Sequence, residues 1–319
     1  MDEAQSVIPI DTHYLAPERM SVYLMVEGDR VAFVDNNTVY AVPRLMDALE
    51  GHGLRPEQVD YAIVTHIHLD HAGGTAELLA RCPKAVALVH PKAKRHLANP
   101  SRLVQASRQL YGDQFERLYG DIQPVEEGRL RGMQDGERLE WGRRNLDFFY
   151  TLGHATHHFC IRDSATNGIF TGDSFGIAYG ALQYGATPYI FTAATPTEFD
   201  PHEARKSVAR ILSYTPEQVY LGHYGAHGNV AQLATQLLRT IDRCEEIMEE
   251  GASSNREDRA LQDWIRDRIH EVTFEEIARC GLPVNEETLV WLNPDIMLNA
   301  QGLYYATLKR RKRKLGRER

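Results

Sequence analysis

Between His66 and His71 the chain places His66, His68, Asp70 and His71. Imidazole nitrogen and carboxylate oxygen are the donors that a zinc-like divalent ion takes. In an extended segment alternate side chains share a face, so His66 and His68 point the same way, with Cα atoms roughly 6–7 Å apart. Asp70 and His71 fall at the bend between a strand end and a helix that the following Thr-Ala-Glu-Leu-Leu-Ala-Arg run starts near Ala72 or Gly73. Such a run can offer two ligands to one cation and two to a neighbour. Packing alone explains it poorly, because an imidazole is costly to bury without partners and several would share one spot.

The elements around it repeat one design. Tyr61-Ala-Ile-Val leads into Thr65 and the histidine run, and Leu146-Asp-Phe-Phe-Tyr-Thr-Leu leads into Gly153-His154. Gly168-Ile-Phe-Thr leads into Gly172-Asp173, and Val219-Tyr-Leu leads into Gly222-His223. Each is an apolar, β-prone segment that ends in a ligand-type side chain. In the last three a glycine comes first and permits the abrupt turn. Four such junctions in one chain make a strong pattern.

Other stretches supply the scaffold. Val22 to Val26 and Val31 to Val34 are strands joined by a Glu-Gly-Asp-Arg turn, and Asp35-Asn36-Asn37 closes the second. Helices are expected over residues 42–51, with Gly53 as the stop, over 74–81, from Pro91, and over 101–119 with a break near Gly112. Residues 85–90 form a buried strand between two of them. Asp200-Pro201 is an N-cap with proline at the first helical position. Beyond His223 the chain is expected to be essentially all α. Gly251–Asn255 is the clearest loop, Thr273-Phe-Glu-Glu resembles a capping box, and Asn293-Pro294 opens the last helix.

Composition narrows the class. Hydrophobic content of 43% and charged content of 25% are those of an ordinary globular chain. No apolar run approaches the roughly 20 residues that span a bilayer. The acidic start Met-Asp-Glu-Ala-Gln-Ser has no apolar core, so it is not read as a secretory signal. Cys82, Cys160, Cys244 and Cys280 form no Cys-x-x-Cys pair and suit reduced thiols in a cytoplasmic protein. The net charge of −8 is uneven: Lys309 to Arg319 holds eight basic side chains and one acidic one. That leaves 28 Lys and Arg against 43 Asp and Glu in the other 308 residues. An acidic body argues against nucleic acid as partner, and the basic tail is expected to be a solvated, frayed helix end.

The motifs His-Ile-His-Leu-Asp-His-Ala-Gly-Gly, Gly-His-Ala-Thr-His-His, Thr-Gly-Asp-Ser and Gly-His-Tyr-Gly, in that order, resemble the metallo-β-lactamase fold superfamily over roughly residues 10 to 230. The resemblance implies an α+β fold, a four-layered αββα sandwich with a two-metal site along one edge. It implies that His66, His68 and His154 hold the first metal, that Asp70, His71 and His223 hold the second, and that Asp173 bridges both. Asp35 falls where the family carries a strand-end aspartate followed one residue later by glycine, although Asn36-Asn37 stand here. His158 takes a position near the site without ligation. Residues 1–230 are expected to be the catalytic domain, and residues 231–319 a C-terminal helical subdomain with a basic tail. Glyoxalase II is similar in carrying such an addition.

Two divalent ions about 3.5–4 Å apart activate a shared water at neutral pH. The expected function is therefore a dinuclear metal-dependent hydrolase, in which a metal-bridged hydroxide attacks the carbonyl of a small ester, lactone or thioester. Asp70 is the expected catalytic residue, orienting the nucleophile or passing a proton to the leaving group. No Gly-x-Ser-x-Gly elbow argues for a covalent acyl intermediate. Zinc is the expected metal, and the same donors suit iron or manganese. Phe175, Tyr179, Tyr184 and Tyr224 are expected to bind substrate, the first three from an aromatic-rich loop after Asp173. That loop alternatively packs beneath the helical tail or at a homodimer interface. The competing functions are a mono-iron sulfur dioxygenase-like enzyme, a nuclease, and a regulatory protein of low activity on the same fold.

Overall fold

The computed structural model describes residues 5–185 and 187–317. In the strand Ser21–Glu27, Val22, Leu24 and Val26 face one apolar layer while Tyr23 and Met25 face another. That two-sided burial is the mark of a strand between two layers.

The chain forms two units. The first, made of residues 1–150, 157–172 and 216–228, contains every strand described. Its first sheet runs in spatial order β1 (Gln5–Asp11), β2 (Ser21–Glu27), β3 (Arg30–Val34), β4 (Val59–Ile63), β5 (Val86–Val89) and β6 (Leu130–Gly132). β1 to β3 are antiparallel hairpins, and β3 to β6 are parallel. Parallel neighbours need crossovers, and helices supply them. These are α1 (Val42–Gly51), α2 (Leu69–Ala72), α3 (Thr75–Arg81), α4 (Pro91–Ala98), α5 (Ser101–Tyr111) and α6 (Phe115–Tyr119). Leu45 and Leu49 of α1, Leu78 and Leu79 of α3 and Leu97 of α4 pack with Val22, Leu24 and Phe33 on one face of the sheet.

The other face meets the second sheet. Its strands are β7 (Arg138–Trp141), β8 (Arg144–Tyr150), β9 (Phe159–Asp163), β10 (Gly168–Gly172), β11 (Gln218–Leu221) and β12 (Ala226–His227), in reverse spatial order. Tyr23, Met25, Val34, Ile63 and Leu88 of the first sheet interleave with Trp141, Phe148, Phe159, Phe170 and Tyr220 of the second. Burial of these large side chains, roughly 1.5–3 kcal/mol each for the aliphatic and phenyl groups, binds the sheets into one sandwich. β10 and β11 are parallel, so the chain between them must leave the sheet and return.

The second unit, residues 151–156, 173–215 and 229–319, contains α7 (Pro201–Ser213), α8 (Val230–Ser253), α9 (Asp258–Arg279) and α10 (Glu286–Arg317). Asp200 caps α7 by accepting the His202 and Glu203 amides at 3.0 and 3.2 Å. The helical C-terminal region is as expected, but its boundaries differ. Thr273 starts no helix: α9 runs through it, and its hydroxyl donates to the Ile269 carbonyl at 2.8 Å. Asn293-Pro294 lies inside α10, whose true cap is Asn285, accepting the Thr288 amide at 2.9 Å. Proline is tolerated there because the carbonyl that loses its partner belongs to Val290, on the solvent side. α8 also extends through Gly251 to Ser253, and Arg311 donates to the carbonyls of Gly251, Ser254 and Arg256 at 2.6–3.0 Å.

The basic tail is not frayed where it is described. α10 continues to Arg317, and Arg310 pairs with Glu245 and Glu249 of α8. Residues 1–4, 318 and 319, and the tail side chains from residue 314 onward, lie outside the described residues. Among the described residues no helix is long and apolar enough to cross a membrane.

Candidate metal centre

β4 delivers its chain end into Thr65, His66, Ile67 and His68, and His68 then stands at the N-cap position of α2 without a side-chain capping bond. The helix therefore starts at Leu69, earlier than the glycines imply, and Asp70 and His71 occupy its only turn. His66 is fully buried, and its Nε2 stands 3.0 Å from His68 Nδ1. Different nitrogens of the two rings thus converge on one point. The other nitrogen of His66, Nδ1, is 3.1 Å from Thr65 Oγ1.

His71 is also fully buried. Its Nδ1 contacts Asp35 Oδ2 at 2.8 Å, which directs Nε2 to the opposite side. His223 follows Gly222 at the end of β11, and its Nε2 lies 3.5 Å from Asp70 Oδ2. Donor atoms of Asp70, His71 and His223 all lie within 4.8 Å of one another. The His66 and His71 rings are 4.2 Å apart, so the histidine pair and this trio adjoin within the first unit.

In the second unit His154 and Asp173 come together. His154 Nε2 is 3.5 Å from Asp173 Oδ2, and its Nδ1 stands 3.1 Å from the Ala193 carbonyl. A ring whose far nitrogen is held by a carbonyl or carboxylate is oriented and made a better donor. His154 and His71 both have that support. Three imidazoles or two with a carboxylate, buried together, fit a divalent ion in ligand type.

Asp35 is the residue whose part the sequence left open. It sits at the end of β3 with φ +60°, a left-handed conformation that aspartate tolerates better than most residues. Its Oδ1 accepts the Thr65 amide at 2.8 Å and the Thr65 hydroxyl at 3.0 Å, while Oδ2 faces His71. One carboxylate therefore steadies His71 directly and His66 through Thr65. The missing glycine at position 37 is replaced by Asn37, also at positive φ, whose amide donates to the Asp70 carbonyl at 2.8 Å. The strand-end aspartate was visible in the sequence, but its partners were not.

His158 is fully buried and stacks on His66 with centroids 4.8 Å apart. Beside it, Gly172 has φ +46°, and a Cβ there would meet His158 Nε2 at 2.6 Å and Thr65 Oγ1 at 2.7 Å. His157 is half-buried, its ring 5.8 Å from that of His68. His227 Nε2 stands 2.9 Å from the Tyr224 carbonyl.

The aromatic residues divide. Phe175 and Tyr179 are buried, and the Tyr179 hydroxyl donates to Asp295 of α10 at 2.9 Å, with Trp291 beside its ring. Tyr184 is 55% exposed and Tyr224 half-buried. Two further tyrosines carried no sequence signal. Tyr14 and Tyr119 share a small cluster with Leu69 of α2. Burial first, and the charge of Asp70 among the lesser causes, raises both phenols well above the ordinary 10.0.

A sequence profile described as the Metallo-beta-lactamase superfamily matches residues 19–223, well over half of the chain. The chain belongs to the metallo-beta-lactamase superfamily. This superfamily member is 27% identical over 173 residues to the metallo-beta-lactamase fold-containing protein ST1585 of Sulfurisphaera tokodaii, covering 53% of this chain and 62% of that one. The crystal structure of ST1585 superposes with a TM-score of 0.66 at 20% identity, over 94% of this chain and 98% of that one, a likeness of fold. Hydroxyacylglutathione hydrolase of an Enterobacter species is 28% identical over 178 residues, 56% of this chain and 55% of that protein. The acyl-coenzyme A thioesterase MBLAC2 of Gallus gallus is 26% identical over 151 residues, 44% of this chain and 48% of that protein. The matched stretches thus span less than two thirds of the curated relatives' own length.

Proposed function

We propose that this protein is a dinuclear metal-dependent hydrolase of a small ester, lactone or thioester, working in the cytoplasm. The observation that carries the reading is the Asp70–His71–His223 trio, with its donor atoms within 4.8 Å and the His71 ring fixed by Asp35. A mono-iron enzyme would leave that second donor set without a purpose. One relative is named as an acyl-coenzyme A thioesterase and another as a hydroxyacylglutathione hydrolase, which favours the thioester among the three substrates.

In this reading His66, His68 and His154 serve one divalent ion, Asp70, His71 and His223 serve the other, and Asp173 serves both. Zinc is the metal we assign, with iron or manganese suited by the same donors. When bound, such a pair supplies a Lewis acid for the carbonyl and an activated water at neutral pH. The chain's own residues do the rest. Thr65 and Asp35 keep the His66 and His71 rings turned inward, and the Ala193 carbonyl does so for His154. Asp70, half-buried, orients the attacking water or takes its proton and passes it to the leaving group. Tyr184 and Tyr224 are assigned to the substrate wall, whereas Phe175 and Tyr179 are buried and Tyr179 packs against α10; the catalytic domain is assigned to residues 1–230, joined to the helical residues 231–319.

Elemental analysis of protein purified without added metal, paired with a panel of thioesters, lactones and esters, tests the proposal. Two divalent ions per chain and metal-dependent turnover of one class are expected. One iron per chain with oxygen uptake on a persulfide would replace it with the dioxygenase.

A further inference from the structure

We propose that α10 is the interface of a two-fold symmetric homodimer, in which the helix pairs antiparallel with α10 of a second copy. The observation is where the apolar surface lies. Of the eight large apolar side chains exposed among the described residues, Val290, Met297 and Tyr305 lie on α10 and Val284 just ahead of it, at 73%, 49%, 46% and 53% exposure. With exposed Pro294 and Gln301, the three on α10 follow spacings of four, three, four and four residues, which is one stripe of an α-helix. The opposite face, through Leu292, Ile296, Leu303 and Ala306, is already buried.

Charge selects the occupant. Exposed Glu286 stands at the start of the stripe, and exposed Lys309, Lys312 and Arg313 stand at its end. A two-fold interface is self-complementary: if residue i meets residue j, then j meets i. Antiparallel pairing centred between positions 297 and 298 satisfies that rule throughout. Val290 then meets Tyr305 of the second copy, Pro294 meets its Gln301, and Glu286 meets its Lys309, each twice. Met297 lies next to the axis. Parallel pairing would set Lys309 on Lys309 and Glu286 on Glu286, which repels. The stripe is therefore complementary to itself in one orientation only, and this stands independently of the hydrolase reading.

Sedimentation velocity of the full chain at tens of micromolar is expected to give twice the 36.2 kDa of one chain. Val290→Arg with Met297→Arg should halve that mass while circular dichroism and metal content stay those of the wild type. Met297→Cys should form a disulfide-linked dimer with diamide, because the axis brings that position against itself. Lys309→Glu should raise the dimer dissociation constant roughly tenfold, and adding Glu286→Lys in the same chain should restore it. A wild-type monomer, a dimer that survives both arginines, or a Met297→Cys dimer that diamide fails to cross-link would overturn the proposal.

Discussion

Asp35 Oδ2 stands 2.8 Å from His71 Nδ1, while the other oxygen of the same carboxylate holds the Thr65 amide and hydroxyl. The end of one strand thus fixes a ring on the next crossover. Removing this support without touching a donor atom should expose its value. Asp35→Ala is expected to lower metal affinity by about 10–100-fold, measured by competition with a chromophoric chelator. Unchanged affinity would mean that His71 is held by something else.

The ligand assignment has a more direct test. His68→Ala and Asp173→Ala should each lose at least one metal equivalent by elemental analysis and abolish turnover of whichever substrate the wild type cleaves. Turnover retained in both would show that the donors are wrongly chosen.

Packing around α10 sets a stability prediction. A Cβ at Gly302 would sit 1.9 Å from the Ala194 carbonyl oxygen, and the Ala194 amide is itself tied to Asn299 Oδ1 at 2.8 Å. Backbone cannot yield there as a side-chain tip would. Gly302→Ala should destabilise the protein by about 1–3 kcal/mol, read from a lower Tm or denaturant midpoint.

His90 supplies a pH dependence. It is buried at 2% exposure, and that burial, with lesser repulsion from His157 and Lys92, lowers its pKa from 6.5 to about 4. The folded state therefore favours the neutral ring. Between pH 6.5 and about 4 the unfolded chain binds the proton and the folded one does not, so stability falls as pH drops through that window. The group's share of that loss reaches roughly 3 kcal/mol at most. His90→Asn keeps an acceptor for the Lys92 amide that His90 now takes at 3.1 Å, and should flatten this slope in urea titrations by about one proton.

All four cysteines are buried thiols, and burial pushes Cys82 and Cys244 up to about 12. The thiolate is the reactive form, so the native protein should be inert to aromatic disulfide reagents at about pH 8. All four thiols should react once guanidinium is added.

Local sequence pattern was a sound guide where chemistry and local geometry coincide. Strand, glycine and ligand succeed one another at residues 153, 172 and 222, and the superfamily could be named from those motifs. It failed where a local signal had a second meaning. Thr273 looks like a cap because threonine caps helices, but it also satisfies its hydroxyl inside one, on Ile269. Pro294 looks like a helix start, yet an exposed position in a long packed helix accommodates it. The work of Asp35 was invisible for another reason: its partners are 30 and 36 residues away, and no spacing rule connects them.

His71, His66 and His154 are each posed by contacts with the protein itself, to a carboxylate, a hydroxyl and a carbonyl. A chain stripped by chelator should consequently keep its shape and refill by simple addition. In that respect it would behave as a rigid receptacle, unlike small domains that collapse when their ion is withdrawn.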